Sequence, residues 1–269
     1  MLVEPQEYGA QPYMSLLLKS ADKSTNRIMI GVPTTGSVRI EWALARWGQV
    51  IPCNWSASDY MQALSQNSPL GYSVADARNI IVHQAVTHEF QWLFFLDSDV
   101  ILPNNAFVKL NTYMREAKIP VVNGLYFAKC HPPEPLIYRG RGNSYFHKFT
   151  IGDKVWVDGI SMGCTLIHVS LLKAMWDEAP EYVAGGNQAV RRVFDTPSFQ
   201  LMDPETAMIR GFSGTEDLSW CDRVMYGEFL KKAGWPKIAK KTYPFLADTS
   251  IFCRHITPAG QQFPLELAY

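Results

Sequence analysis

The sequence has no excess of either charge, since 25 Lys and Arg residues balance 25 Asp and Glu residues. A chain without net charge has no overall field that would attract DNA, RNA or an anionic membrane. No apolar run approaches the roughly 20 residues of a membrane-spanning helix. The N-terminus also lacks the basic start and long apolar core of a signal peptide. We therefore expect no transmembrane segment and find no strong nucleic-acid signal.

Cysteine is scarce, and none of the five cysteines forms a Cys-x-x-Cys pair. This argues against a zinc knuckle and against a disulfide framework, and it favours a reducing, cytoplasmic setting. Apolar residues, in contrast, make up 47% of the 269 residues, and eight of them are tryptophan. A chain of this length and composition can build a substantial core in one large or two small domains.

The most informative stretch that is present runs from Gln91 to Pro103. Five apolar residues, Trp92 to Leu96, are followed by Asp97-Ser98-Asp99. An apolar run of this kind predicts a strand buried on both faces, and ligands of open α/β sheets bind beyond the carboxyl ends of such strands. Two adjacent carboxylates repel each other unless a cation lies nearby. The position after a buried strand therefore indicates a divalent-metal site, which an Asp-x-Asp pair alone would not.

Strand-like and helix-like segments alternate around this run. Residues 27–32 and 49–52 are predicted as strands, residues 74–88 as a helix and residues 121–127 as another strand. This alternation predicts a doubly wound α/β fold with a mostly parallel central sheet flanked by helices. The turn after the first strand, at residues 33–37, is typical of a nucleotide-binding βα unit or of an ordinary connection, and it lacks the glycines of a Walker loop.

The second half of the chain is less regular. The aromatic and basic loop from Lys129 to Lys148 has the composition of a ligand-contacting loop, and residues 180–210 are predicted to be an irregular, mobile segment. Glu216 and Asp217 fall in the first turn of a predicted helix, where the helix dipole favours ionised carboxylates. Acidic residues also occur there simply to stabilise a helix, so this position alone does not define a catalytic group.

In this order the features resemble the GT-A glycosyltransferases, within them the broad family-2-like group. The matching motifs are Pro33-Thr34-Thr35, Ala77-Arg78-Asn79, Leu96-Asp97-Ser98-Asp99, Gly159 with Met162-Gly163-Cys164, Thr215-Glu216-Asp217, and His255. The resemblance implies a single GT-A domain over residues 27–256, between an N-terminal arm at 1–26 and a tail at 257–269. Its donor-binding half would be about 27–127 and its acceptor-side half about 128–256.

The resemblance also implies roles for individual residues. The donor-binding residues would be Pro33, Thr34, Thr35, Arg78, Asp97 and Ser98. The ligands of a Mn²⁺ or Mg²⁺ ion would be Asp97, Asp99 and His255, a set of oxygens plus one imidazole that suits Mn²⁺. Asp217 would take the proton of the acceptor hydroxyl, and Glu216 would orient the acceptor. The donor would be a nucleotide sugar, with a UDP-sugar favoured over a GDP-sugar, and the acceptor is left open.

Three alternatives compete with a glycosyltransferase. A haloacid-dehalogenase-type phosphotransferase would use Asp97 as its nucleophile, but that motif normally opens the first strand of the chain, and here several strand-like segments precede it. A nucleotidyltransferase would need a glycine-rich first loop, which residues 32–36 do not supply. A non-catalytic nucleotide-sugar binder on the same fold would keep metal-dependent binding and show no transfer.

Overall fold

The computed structural model describes residues 28–52, 55, 72–140, 144–202 and 209–265. The predicted N-terminal arm therefore lies outside the described residues. The helices are α1 (Ile40–Trp47), α2 (Val74–Thr87), α3 (Ala106–Glu116), α4 (Val169–Glu178), α5 (Glu216–Tyr226), α6 (Phe229–Lys232) and α7 (Pro236–Ala239). None of the helices in the described part of the chain is long and apolar enough to cross a membrane.

The strands alternate with these helices along the chain. They are β1 (Ile28–Gly31), β2 (Trp92–Leu96), β3 (Val100–Ile101), β4 (Val121–Leu125), β5 (Ile137–Tyr138), β6 (Lys154–Val157), β7 (Gly159–Ile160), β8 (Cys164–His168), β9 (Glu181–Ala184), β10 (Gln188–Arg191), β11 (Ser198–Met202), β12 (Ile209–Ser213), β13 (Phe245–Phe252), β14 (Arg254–Ile256) and β15 (Gln262–Phe263).

Six of the strands form the central sheet in the order β1-β2-β8-β4-β13-β6. The strands β1, β2, β4 and β13 run in one direction, while β8 and β6 run in the other. The prediction of an α/β fold with a mostly parallel sheet flanked by helices is confirmed. The antiparallel strand β8 in the middle of the sheet was not predicted.

Both faces of the sheet are covered, which explains the continuous apolar run of β2. Leu93 and Phe95 point into one hydrophobic cluster with residues of α2, α4 and α5. Trp92, Phe94 and Leu96 point into a second cluster with residues of α1 and α3. Successive side chains of a strand alternate between the two faces, so a strand between two helical layers needs apolar residues at every position.

The predicted strand at residues 49–52 is wrong. The side-chain amide of Gln49 donates hydrogen bonds to the carbonyls of Ala45 and Pro103, at 2.9 and 2.8 Å. The Val50 N–H donates to the carbonyl of Asn104 at 3.1 Å. The segment is therefore held as an irregular connection by the end of α1 and by the loop before α3, and no neighbouring strand pairs with it in the described part of the chain.

The expectation of an irregular segment at residues 180–210 is also wrong for its described part. The strands β9 and β10 form one antiparallel hairpin, and β11 and β12 form another. The first hairpin turns through residues 185–187, where Asn187 has a φ of 60°. Glycine and asparagine tolerate this left-handed region, so the Gly-Gly-Asn sequence was the hairpin signal that the sequence offered.

His168 lies where β8 joins α4. Its surroundings are expected to make the stability of the protein depend on pH. Its Nδ1 accepts a hydrogen bond from the Ser170 N–H at 3.2 Å, and its ring contacts Trp92 and Trp235 edge-on. Burial lowers the pKa of His168 from 6.5 to about 4. The folded protein therefore keeps a neutral ring that the unfolded chain protonates, and stability is lost as the pH falls from 6.5 towards 4.

A pKa shift of this size changes the free energy of unfolding by up to about 3 kcal/mol. We expect His168→Asn to reduce the loss of unfolding free energy between pH 6.5 and 4, because asparagine keeps a helix N-cap acceptor and does not titrate. Urea unfolding at a series of pH values measures the difference. Equal pH slopes for the two proteins would contradict the assignment.

Candidate active site

The predicted site residues lie at one end of the sheet, beyond the carboxyl ends of β1 and β2. These strands are parallel neighbours, with Gly31 opposite Phe95. Pro33, Thr34 and Thr35 therefore follow β1 beside the place where Asp97, Ser98 and Asp99 follow β2. The Thr34 hydroxyl accepts a hydrogen bond from the Gly36 N–H at 3.1 Å, which closes the turn. The predicted donor loop thus lies next to the aspartates, and its role in binding stays a prediction.

The backbone at Asp97 is fixed by three hydrogen bonds. Its carbonyl accepts from Trp42 Nε1 at 2.8 Å and from the Val100 N–H at 3.1 Å. Its own N–H donates to the carbonyl of Gly163 at 3.0 Å. The last of these bonds ties the end of β2 to the start of the antiparallel strand β8. The backbone of Asp97 is therefore held by its own turn and by two other segments of the chain.

Arg78 connects Asp97 to the acidic start of α5. Its side chain is only 1% exposed, and Nη2 donates to Asp97 Oδ1 and Oδ2 at 3.0 and 3.2 Å. Nε donates to Glu216 Oε1 at 3.2 Å, and Nη2 lies 3.9 Å from Asp217 Oδ1. Burial alone would lower the pKa of Arg78, but the three carboxylates raise it, so the guanidinium is charged. One buried cation therefore holds three carboxylates together.

This arrangement corrects the predicted environment of Arg78. The helical spacing of the apolar Val74, Ala77, Ile81 and Ala85 predicts that Arg78 and Asn79 lie on the polar side of this helix. Both side chains are instead buried in the structure. Asn79 donates to the carbonyl of Phe194 and accepts from its N–H, at 2.9 and 2.7 Å. Polar residues on a helix are predicted to face solvent when the hydrogen-bonding partners that allow their burial lie far away in the sequence. The donor-binding role of Arg78 stays a prediction, and its observed contacts are with carboxylates.

The carboxylates on Arg78 differ in proton affinity. Burial raises the pKa of Asp217 well above its ordinary value, and the charge of Glu216 adds to this against the opposing effect of Arg78. Burial would also raise the pKa of Glu216, but the hydrogen bond with Asp217 and the charge of Arg78 outweigh it and leave the pKa lowered. The two carboxyl groups therefore titrate as a pair, because ionising both places two negative charges side by side. Burial raises the pKa of Asp97 despite Arg78.

A bend before β8 holds Asp217 against the sheet. The Met162 N–H donates to Asp217 Oδ2 at 3.1 Å, while Oδ1 is buried without a hydrogen-bond partner. The bend itself is anchored by the buried Asn123, whose amide donates to the carbonyls of Ser161 and Cys164 at 2.8 and 3.2 Å. The unpartnered oxygen faces the guanidinium of Arg78, whose Nη2 lies 3.9 Å away.

Gly163 is required in this bend by a close contact inside the protein. Its N–H donates to the Tyr126 hydroxyl oxygen at 2.9 Å. A Cβ at this position would lie 2.4 Å from that oxygen and 2.9 Å from Val100 Cγ2. Glycines beside a strand indicate close approach of the backbone either to a ligand or to a neighbouring strand. At Gly163 the approach is to neighbouring residues.

Asp99 and His255 lie together although 156 positions separate them in the sequence. The strand β14 pairs with β3, so that His255 is opposite Val100 and the Ile256 N–H donates to the carbonyl of Asp99 at 2.8 Å. His255 Nε2 lies 3.2 Å from Asp99 Oδ2. Burial would raise the pKa of Asp99, but hydrogen bonds from His255 and Lys129 lower it to about 2. Asp99 is therefore ionised at neutral pH.

The Asp99–His255 pair fits a divalent cation as two neighbouring ligands. Two ligands at about 2.1 Å on adjacent corners of an octahedron lie about 3 Å apart, close to the observed separation. His255 Nδ1 lies 3.0 Å from the carbonyl of Phe127. A carbonyl accepts, so this contact favours the N–H on Nδ1, and a metal would bind Nε2 in place of its present contact with Asp99.

Asp97 does not complete a three-residue metal cluster. Within the described residues, no group of three His, Cys, Asp or Glu side chains stands ready to hold a metal ion. Both carboxylate oxygens of Asp97 accept hydrogen bonds from Arg78 instead. The sequence-predicted set of three ligands is thus represented in the structure by the Asp99–His255 pair, and metal binding itself stays a prediction.

Sequence reasoning missed three residues of the site. Lys129 bonds to Asp99, Tyr126 bonds to the bend at Gly163, and Trp42 bonds to the carbonyl of Asp97. Lys129 was placed only in a loop of general ligand-contacting composition. Tyr126 and Trp42 carried no signal, because an aromatic residue in a strand or an amphipathic helix is ordinarily part of the core.

No family model matches the chain, and no curated protein matches it. Among solved structures, A197 from STIV aligns at 18% identity over 86% of each chain, with a TM-score of 0.49. S. aureus TarS aligns at 14% identity over 57% of this chain and 30% of that chain, with a TM-score of 0.37. A structure of S. aureus TarS 1–349 in complex with UDP aligns at 15% identity over 60% of this chain and 52% of that chain, with a TM-score of 0.36. These likenesses are too distant to indicate a function.

Proposed function

We propose that this chain is a GT-A glycosyltransferase that moves a sugar from a nucleotide-sugar donor, with a UDP-sugar favoured, to an acceptor hydroxyl in a reaction that depends on Mn²⁺ or Mg²⁺. The observation that carries the proposal is the contact of Arg78 with both Asp97 and Asp217, which brings Asp217 to the strand end that also carries Asp99. Hydrogen bonds from His255 and Lys129 lower the pKa of Asp99 to about 2, whereas burial raises the pKa of Asp217 well above its ordinary value. Carboxylates whose environments separate their pKa values are typical of sites that combine charge stabilisation with proton transfer.

The donor side would be formed by the ends of β1 and β2. The turn at residues 33–35 and Ser98 would border the diphosphate of the donor in front of Asp99. Asp99 and His255 would hold the cation, which supplies Lewis-acid neutralisation of charge on the departing nucleoside diphosphate. The ordered backbone at Asp97 keeps this edge rigid, so that little reorganisation is needed when the donor binds.

The acceptor side would be formed by the first turn of α5. Once it has lost its own proton, Asp217 accepts the proton of the acceptor hydroxyl as the acceptor oxygen bonds to the anomeric carbon and the sugar–phosphate bond breaks. This is the role of a general base in an inverting transfer. Glu216 orients the acceptor, and Arg78 sets the positions of Asp97, Glu216 and Asp217 relative to one another. A raised pKa makes a carboxylate a stronger base, which suits a group that must accept a proton.

The metal and donor part of the proposal is tested by Asp99→Ala. We expect this change to lower the Mn²⁺-dependent affinity for UDP by about 100-fold or more, because an ionised ligand is lost, and outer-shell losses alone typically cost 10–100-fold. Calorimetric titration of UDP with and without Mn²⁺ measures the effect. Asp177→Ala is the matched control. Asp177 also forms an ion pair with a lysine, with Lys173 Nζ 2.5 Å from its Oδ2, but it lies on the exposed side of α4. An undiminished Mn²⁺-dependent affinity would sink the proposed metal site.

The same preparations separate the alternatives. A phosphotransferase would form a phosphoaspartate on Asp97, whose two oxygens both accept hydrogen bonds from a buried guanidinium in the observed arrangement. A non-catalytic binder would bind UDP with Mn²⁺ and release no sugar from any UDP-sugar. Slow hydrolysis of a UDP-sugar that requires Asp217 supports the transferase.

A further inference from the structure

Lys129 occupies a position that the proposed reaction does not use. Its Nζ lies 2.5 Å from Asp99 Oδ2, the same oxygen that His255 Nε2 approaches to 3.2 Å. Lys129 follows Phe127 by two residues, and the carbonyl of Phe127 holds the other nitrogen of His255. One short segment after β4 therefore controls both partners of Asp99.

A divalent metal and an ammonium compete for the same oxygen of Asp99. A metal bound to Asp99 Oδ2 at about 2.1 Å would lie less than about 5 Å from Lys129 Nζ in its observed position. The Asp99 carboxylate carries a single negative charge between these two cations, so their repulsion is only partly offset. The metal therefore binds more tightly if Lys129 leaves or if a further anion separates the two cations.

The side chain of Lys129 is able to leave. It is 29% exposed, and Asp99 is 41% exposed, so the ion pair stands in contact with solvent. Asp99 is the one ion-pair or hydrogen-bond partner of the Lys129 ammonium in the described part of the chain. Exposed ion pairs contribute little to stability because water competes for both charges and the long side chain loses freedom. Exchange of this lysine for another cation thus costs the fold little.

We propose that the Lys129 ammonium competes with the divalent metal for Asp99 and leaves Asp99 when the diphosphate of the donor binds. The inference rests on the proposed function, because it takes Asp99 and His255 as the metal pair. Before the donor arrives, Lys129 neutralises Asp99 and weakens the binding of metal alone. The diphosphate then offers the ammonium a new anionic partner, so metal and nucleotide each strengthen the binding of the other.

The competition is tested with Mn²⁺ alone, by the electron paramagnetic resonance signal of free Mn²⁺ at increasing protein concentration. We expect Lys129→Met to bind Mn²⁺ at least about tenfold more tightly than the wild type, and Lys129→Arg to stay as weak as the wild type because it keeps a cation. Lys173→Met is the matched control. Lys173 also lies 2.5 Å from an aspartate, Asp177, and its removal leaves Mn²⁺ affinity unchanged.

The coupling is tested by repeating the titration in saturating UDP. We expect UDP to raise the Mn²⁺ affinity of the wild type within the roughly 5–150-fold range of typical couplings, and to raise that of Lys129→Met by a smaller factor. Equal or weaker Mn²⁺ binding by Lys129→Met would overturn the competition and leave an Asp99-dependent metal site intact. Absence of Mn²⁺ binding in every variant, with and without UDP, would overturn the proposed metal site and the competition with it.

Discussion

Replacing Asp217 by asparagine is expected to slow sugar transfer by about 10²–10⁴-fold, the usual contribution of a general base, while donor affinity changes little. Stability should also change little. Burial raises the pKa of Asp217 well above its ordinary value, and asparagine is an uncharged side chain of nearly the same shape as aspartate. The carboxamide oxygen of the substituted side chain can still accept from the Met162 N–H.

The measurement is the single-turnover rate of transfer or of donor hydrolysis, together with calorimetric donor affinity. Asp222→Asn, an exposed position on the same helix, is the control and should keep the wild-type rate. In the wild type, the rate should rise with pH along a limb whose apparent pKa lies well above 3.8 and belongs to the Glu216–Asp217 pair. An unchanged rate in the Asp217 variant would remove this residue from the mechanism.

Replacing Arg78 by methionine is expected to lower the free energy of unfolding by about 3–5 kcal/mol at neutral pH. Methionine has a similar length and suits a buried position, so the cost comes from the carboxylates that lose their common cation. Asp97 and Glu216 accept direct hydrogen bonds from Arg78, and Asp217 lies 3.9 Å from it. Denaturant unfolding followed by circular dichroism measures the loss.

The origin of this loss can be isolated by removing the carboxylate charges in the same chain. We expect Arg78→Met combined with Asp97→Asn and Glu216→Gln to recover much of the stability that Arg78→Met loses, because no buried charge is then left without a partner. Arg78→Lys should be intermediate, since a single ammonium cannot reproduce the fork of a guanidinium. If Arg78→Met lowered the free energy of unfolding by less than about 1 kcal/mol, the contacts between Arg78 and the carboxylates would be no stronger than ordinary surface ion pairs. That result would contradict this interpretation.

The position of the site was predictable from local sequence. Trp92 to Leu96 is a strand whose five consecutive apolar residues predict burial on both faces, and the two aspartates follow it directly. Glu216 and Asp217 open α5 as expected. These predictions succeeded because each depends on neighbours in the chain, either a buried strand with its end or a helix with its first turn.

The contacts within the site were not predictable. Arg78 meets Glu216 across 138 positions, and Lys129 meets Asp99 across 30. Such pairs arise from the order of strands in the sheet, and above all from the antiparallel β8, which brings the bend before it to the edge where β2 ends. A single sequence shows which residues carry charge. It does not show which of them share a partner.

The order of synthesis bears on when this site can exist. The strand β13 separates β4 from β6 in the sheet and pairs with both, although β4 and β6 lie about 90 or more residues earlier in the chain. During translation β4 must wait with one edge unpaired until residues 245–252 emerge, and His255 emerges after them. An incomplete chain therefore exposes the unpaired edge of an apolar strand. Such a chain tends to aggregate before the site can form. Chaperone protection of the nascent chain should matter most in this interval.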